Sequence, residues 1–146
     1  EYMDPKTAEY MKTYCLMVKS RRAARSITRR YNKLARTYDL QATQIGLLFA
    51  ISAGGFDSIS ELAERTVIER SAMTRNLQAL RKKGLISSDS EGRGRSQRVA
   101  LTEEGERRVE EFIPVWFEAH DKVRAELGEE KWNQVQDALK ILAELE

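Results

Sequence analysis

Between residues 70 and 98 the chain concentrates groups that can grip a polyanion. Arg70, Ser71, Thr74, Arg75 and Gln78 recur at spacings that share one side of a helix. They combine guanidinium, hydroxyl and amide groups, the set that hydrogen-bonds guanine, adenine or phosphate oxygens. Arg81, Lys82 and Lys83 follow at the end of the same segment, suited to phosphates or simply to solvating the negative end of a helix. Farther on, Arg93, Arg95 and Arg98 stand near Gly92 and Gly94. Slim arginines on a flexible tip can enter a narrow minor groove, where the negative potential of DNA is strongest.

The other reactive side chains are sparse. One cysteine, Cys15, and one histidine, His120, cannot build a disulfide within the chain or a zinc site, so no metal and no cofactor is expected. A thiol-dependent enzyme centred on Cys15 would need a nearby base or a resolving cysteine. His120 lies more than a hundred positions away in an acid-rich stretch, where it reads as a surface residue, and an enzyme is not expected. Lys12 and Lys19 flank Cys15 at three and four residues and would favour its thiolate. Cys15 also falls on an apolar stripe, where a cysteine serves as a small packing residue.

These groups need a scaffold, and helix punctuation supplies its outline. Asp4 followed by Pro5 is a helix start, because the carboxylate can accept from free first-turn amides and proline suits the first helical position. From there to about Tyr38 the chain lacks Gly and Pro, with apolar spacings of mostly three or four, which predicts one long amphipathic helix. A second, mostly apolar helix is expected over Thr43 to Ser52, ended by Gly54 and Gly55. Ser58 and Glu61 form the S-x-x-E arrangement in which each side chain caps the other residue's amide, opening a short helix over Ile59 to Arg65. After the connector Thr66 to Glu69, Arg70 to Lys83 reads as helix, with Met73, Leu77 and Leu80 on its inner side and Gly84 as its stop. Two short helices on a tight connector form a helix-turn-helix pattern. Leu85 to Ser88 and Gln97 to Leu101 read as strands of a hairpin whose tip holds the two glycines. Thr102 to Glu126 and Glu129 to Glu146 read as helices separated by Gly128, with Pro114 expected to bend or interrupt the first of them. The fold class is therefore mainly α with a small β-hairpin wing.

The 146 residues are enough for one folded unit with a single core, and 41% hydrophobic with 33% charged residues fits a globular rather than a disordered chain. No apolar run approaches a bilayer span, and Glu1 to Lys19 lack the layout of a secretion signal, so the expected location is cytoplasmic with no membrane partner. The net charge of +2 conceals a segregation. Residues 102 to 146 hold 13 acids against 6 bases, and the first 101 hold 19 bases against 10 acids. A basic part that faces a polyanion, joined to an acidic part that faces elsewhere, points to nucleic acid.

At this stage a resemblance becomes specific. Ser58 to Ile86, SISELAERTVIERSAMTRNLQALRKKGLI, and Arg93 to Gly105, RGRSQRVALTEEG, resemble the winged helix-turn-helix of the MarR family of bacterial transcriptional regulators. The likeness includes the S-x-x-E-L-A opening, the T-R-x-L core of the second helix and the L-T-x-x-G after the wing. The order of the surrounding helices is also similar, so the resemblance spans nearly the whole chain. It implies a single MarR-type domain over 1–146, with dimerisation helices at 1–40 and 102–146 and a DNA-binding lobe at 41–101. It further implies a sequence-specific regulator, a repressor in the simplest case, that reads a pseudo-palindromic double-stranded DNA operator as a homodimer. Met11, Tyr14, Val18, Val135, Leu139 and Leu142 supply matching apolar surfaces for that dimer. Such proteins release DNA when a small aromatic or phenolic ligand occupies a pocket, for which Tyr31, Phe49, Phe112 and Trp116 are the expected lining. The alternative signal is oxidation of Cys15, whose position resembles the sensing cysteine of the organic-hydroperoxide regulators. Tyr31 stands near one tyrosine of those proteins, and Ala42 stands where a second is expected. Wings of the family often carry an aspartate where this chain has Arg93. A more distant alternative is a winged helix that binds protein rather than DNA.

Overall fold

The computed structural model describes residues 2–88 and 98–145. In chain order the elements are helices α1 (Pro5–Tyr14), α2 (Leu16–Ala35), a 3-10 turn (Arg36–Tyr38), α3 (Ala42–Ala53), α4 (Ile59–Thr66) and α5 (Arg70–Lys82). Strands β1 (Ile86–Ser88) and β2 (Val99–Leu101) follow, then α6 (Glu103–Leu127) and α7 (Glu129–Ala143). The mainly helical architecture with one antiparallel hairpin is the expected fold class. The chain divides into two compact units, Glu1–Leu47 and Leu48–Glu146.

In the first unit, Asp4 caps α1 by accepting from the Thr7 amide at 3.0 Å and the Thr7 hydroxyl at 3.1 Å. These bonds favour the charged form and hold the Asp4 carboxyl below its ordinary range. The single long helix expected to Tyr38 is in fact two helices and a turn. Cys15 adopts φ −64°, ψ 109°, an extended conformation that ends α1 and starts α2. Neither Gly nor Pro marks that break, so apolar periodicity ran across it unseen. The lower end of α2 is better anchored. Ala35 and Leu40 are buried, and Asn32 Oδ1 accepts from the Ala42 amide at 2.8 Å, tying the start of α3 to the last turns of α2. Tyr10, Met11, Leu16, Met17 and Val18 remain exposed.

The second unit has its core where α4, α5, the hairpin and the first half of α6 contribute Leu62, Met73, Leu77, Leu80, Leu85, Ile86, Val99, Val109 and Phe112, all buried. Each such side chain contributes about 1.5 to 3 kcal/mol on leaving water. Ser58 Oγ accepts from the Glu61 amide at 3.1 Å. The return bond lands one residue earlier than expected, with Glu61 Oε2 accepting from the Asp57 amide at 2.9 Å. The turn after α4 is closed by Val67 at φ +54°, with the Ile68 amide reaching back to the Ala63 carbonyl at 3.1 Å. A β-branched residue is strained in this left-handed conformation, and Val67 is 90% exposed, so packing does not repay the strain. The stop of α5 is better fitted. Gly84 takes φ +71°, the Gly84 amide donates to the Arg81 carbonyl at 2.9 Å, and the Leu85 amide donates to the Leu80 carbonyl at 3.0 Å.

Leu85 therefore belongs to the helix stop, and β1 begins one residue later, paired Ile86 to Leu101, Ser87 to Ala100 and Ser88 to Val99. Thr102 then gathers the ends. Its amide donates to the Leu85 carbonyl at 3.1 Å, its hydroxyl donates to the Gly84 carbonyl at 2.6 Å, and the same oxygen accepts from the Gly105 amide at 3.1 Å to cap α6. Pro114 does not interrupt α6, which continues through it to Leu127. Pro114 and Glu110 are both exposed, and the proline leaves the Glu110 carbonyl without its usual helical donor. Gly128, at φ +80°, separates α6 from α7, and α7 buries no side chain of its own.

A Cβ placed on Gly105 would stand 2.0 Å from the Leu85 carbonyl oxygen, a backbone atom that cannot swing away. Gly105→Ala is expected to cost roughly 3 kcal/mol of unfolding free energy, the upper end for overpacking. Urea denaturation within 0.5 kcal/mol of the parent would show that the junction relaxes freely.

Candidate nucleic-acid interface

Helix α5 presents two chemically distinct sides. Met73, Leu77 and Leu80 are buried, at 0%, 3% and 0% exposure, and their burial determines which side is left for solvent. That side carries Arg70, Ser71, Thr74, Arg75 and Gln78, all exposed, as the spacing predicts. Asn76 lies between the two sides and donates one N–H of its side-chain amide to the Ala72 carbonyl at 2.9 Å, which ties it to its own helix.

Thr74 also turns partly inward, donating its hydroxyl to the Arg70 carbonyl at 3.3 Å while its lone pairs stay accessible. Arg70 is held from outside the helix. Its Nη1 donates to Ser60 Oγ at 3.0 Å, which fixes the guanidinium across the gap between α4 and α5. A cation at the first position of a helix opposes the macrodipole, and Glu69 supplies no side-chain cap to the amides there. The start of α5 is thus rich in donors and poor in acceptors, an arrangement that suits an anion better than it suits the helix.

The three bases at the other end of α5 divide. Lys82 and Lys83 are exposed, as a phosphate-facing or solvating role requires. Arg81 is half-buried and its Nε, enclosed by the protein, has no hydrogen-bond partner among the described residues. Arg98 is exposed immediately before β2. Arg93 and Arg95 lie outside the described residues.

Two functional supports escaped sequence reasoning. Ser60 carried no signal, because its role depends on the approach of Arg70 from another helix. Arg65 carried a partial one. Gly54 and Gly55 marked a helix end whose carbonyls needed donors, and Arg65 supplies them at 2.5 and 2.6 Å to Gly54 and Gly55 respectively. This two-pronged bond fastens α4 to the end of α3 and sets the platform on which α5 rests.

The side chains expected to line a ligand pocket are partly engaged with one another. The Phe49 and Phe112 rings stand 6.1 Å apart at 49°, with Phe112 buried and Phe49 half-buried. Trp116 stacks on His120 at 4.7 Å and 22°, and His120 meets Trp132 edge-on at 4.7 Å. His120 is therefore a half-buried filling between two indoles and not the solvated residue its acidic surroundings suggested. Arg124 stands 5.8 Å over Trp132 and forks onto Glu129 at 2.7 and 2.8 Å. Tyr31 is half-buried on α2. Cys15 is half-buried at the α1–α2 break. Among the described residues no group of His, Cys, Asp and Glu could hold a metal ion, and no helix is long and apolar enough to cross a membrane.

The model of the MarR family matches residues 38–96. The transcriptional regulator MosR of M. tuberculosis, solved alone and in complex with DNA, is 32% identical, with a TM-score of 0.76 over 88% of this chain and 93% of that one. BpsR of Bordetella bronchiseptica, solved in connection with regulation of its DNA binding by 6-hydroxynicotinic acid, has a TM-score of 0.79 at 19% identity, covering 89% and 94% of the two chains. MepR of S. aureus, solved with DNA, has a TM-score of 0.75 at 21% identity, covering 90% and 99%. No curated protein matches the chain by sequence.

Proposed function

Because the chain belongs to the MarR family of winged helix-turn-helix transcriptional regulators, we propose that it represses transcription by binding a pseudo-palindromic duplex operator as a homodimer and leaves that operator when a small aromatic or phenolic ligand binds. The observation that carries the DNA reading is the outward side of α5. Five polar side chains, two of them arginines, share an acid-free surface whose orientation is imposed by three buried apolar residues. Arg75 and Gln78 supply the fork and amide geometries that read guanine and adenine, and Arg70, braced by Ser60, suits a phosphate or a base edge at the groove entrance. Arg93, Arg95 and Arg98 are assigned to the minor groove, and Lys82 and Lys83 to the backbone.

Exposed apolar faces support the dimer. Met11, Tyr14 and Val18 of the first unit and Val135, Leu139 and Leu142 of the second are all exposed, and apolar side chains exposed in groups mark contact surfaces. The ligand assignment rests on Phe49, Phe112 and Trp116, a set of aromatic faces that complements a planar ring. A second reading makes Cys15 the sensor, favoured by its place at the break between α1 and α2. Oxidation there would put a polar group at the one backbone position where the helix already yields.

Selection from a random duplex pool is expected to return an inverted repeat with half-sites about one helical turn apart. On that sequence Arg75→Ala should lose about 1 to 3 kcal/mol and relax base choice, whereas Lys82→Ala or Lys83→Ala should weaken all sequences alike and flatten the salt slope. Equal losses for Arg75→Ala on selected and random DNA would reduce it to a phosphate contact. Light scattering at micromolar concentration should give twice the 16.8 kDa chain mass, and a persistent 16.8 kDa species would remove the dimer. For the second reading, cumene hydroperoxide should leave the operator complexes of the parent and of Cys15→Ser equally intact. Release of the parent alone, reversed by a thiol reductant, would transfer the switch to Cys15.

A further inference from the structure

Residues 10–38 hold nine bases and no acid. Seven of the nine lie on α2, and five of those seven are arginines. At 3.6 residues per turn Arg22, Arg25, Arg29 and Lys33 form one line along the helix, with Ala24, Ile27, Tyr31 and Leu34 on the opposite side. All four bases are exposed, and among the described residues none of them forms an ion pair.

An ordinary solvated helix mixes its signs, and this protein does so elsewhere. On α6, Arg107 lies between Glu104 at 2.6 Å and Glu111 at 3.0 Å, and the Arg107 hydrogen bond holds the Glu104 carboxyl below its ordinary range. Arg124 is matched by Glu129. On α2 the neighbours four residues apart, Arg21 with Arg25, Arg25 with Arg29 and Arg29 with Lys33, are all like-charged and oppose helix formation. A face that destabilises its own helix is offset when an anion covers it.

We propose that the arginine face of α2 grips the phosphate backbone of duplex DNA, as a contact surface additional to the winged helix. This rests on the DNA-binding reading above. The preference for arginine over lysine suits bidentate bonds to phosphate oxygens. The line from Arg22 to Lys33 rises through roughly 16 Å, long enough to follow several phosphates of one strand. A membrane surface fits less well. Helices that lie on lipid set Trp, Phe and Leu opposite their bases, whereas the apolar side of α2 has no Trp or Phe and mixes Ile27 and Leu34 with Ala24 and Ala35, small residues suited to close packing of another helix.

The test uses the full chain and a random-sequence 40-base-pair duplex, with affinity measured by fluorescence anisotropy from 50 to 300 mM KCl. R22Q/R25Q/R29Q is compared with Arg75→Gln, with the charge-preserving R22K/R25K/R29K, and with the parent. The glutamine triple variant is expected to lower the salt slope by about 2 to 3 and to bind at least 10-fold more weakly at 50 mM salt, with unchanged circular dichroism and oligomeric mass. The lysine variant should keep the parental slope. A parental slope in the glutamine triple variant, with Arg75→Gln weakened, overturns this proposal and leaves the DNA reading standing. No binding of the duplex by the parent sinks both. Conversion of the triple variant to monomer would make the face a contact between copies, and loss of binding to phosphatidylglycerol vesicles without loss on DNA would make it a lipid surface. Either result would overturn the proposal.

Discussion

Thr102 joins three elements at one residue, and the second unit depends on that junction. The stop of α5, the base of the hairpin and the start of α6 all terminate in backbone groups that need partners, as every helix end does. Thr102 satisfies the Gly84 and Leu85 carbonyls and the Gly105 amide at once. The three elements can meet only because residue 105 has no side chain, with the Leu85 carbonyl in the space a Cβ would occupy. The hairpin is thereby fixed to the end of the same helix whose outer side carries Arg70 and Arg75. A reader of DNA needs its wing and its recognition helix in constant relation, since a displacement of an ångström breaks a bidentate contact.

The other end of the helix-turn-helix is held by charge rather than by a tight backbone fit. Arg65 fastens α4 to the carbonyls of Gly54 and Gly55, and Ser60 orients Arg70. Between these two bonds lies Val67, strained and exposed. The turn thus spends stability at the point where the two helices are set against each other. Strain of this kind collects where geometry serves function. The Nε of Arg81, without a hydrogen-bond partner among the described residues, and the start of α5, which no side chain caps, add donors in excess of acceptors to the same region.

Charge follows the division of labour along the chain. Acids and bases are interleaved on α6, where Arg107 pairs with Glu104 and Glu111, whereas α2 and α5 carry bases and no acid. Interleaved charges satisfy one another and keep a surface soluble. Segregated ones create a field that reaches several ångströms into solvent and select a partner of opposite sign.

Much of this was legible in the residues alone. The apolar spacing of Met73, Leu77 and Leu80 determined which side of α5 faces outward, because burial of three large side chains outweighs any preference of the polar ones. Gly84, Gly128 and Ser58 announced their helix ends, since capping and left-handed turns demand particular residue types. The break at Cys15 was not legible, because no residue there forbids a helix and the extended conformation is a choice of the folded chain. The continuity of α6 through Pro114 was not legible either, because a proline removes one helical bond wherever it stands and only the folded chain decides whether the rest of the helix carries on past it. Ser60 on Arg70, Arg65 on the two glycine carbonyls and Trp132 on His120 join residues ten to twelve positions apart. Local sequence specifies the helices that carry these side chains, but their meeting is decided by the angle at which one helix leaves another, and only packing sets that angle.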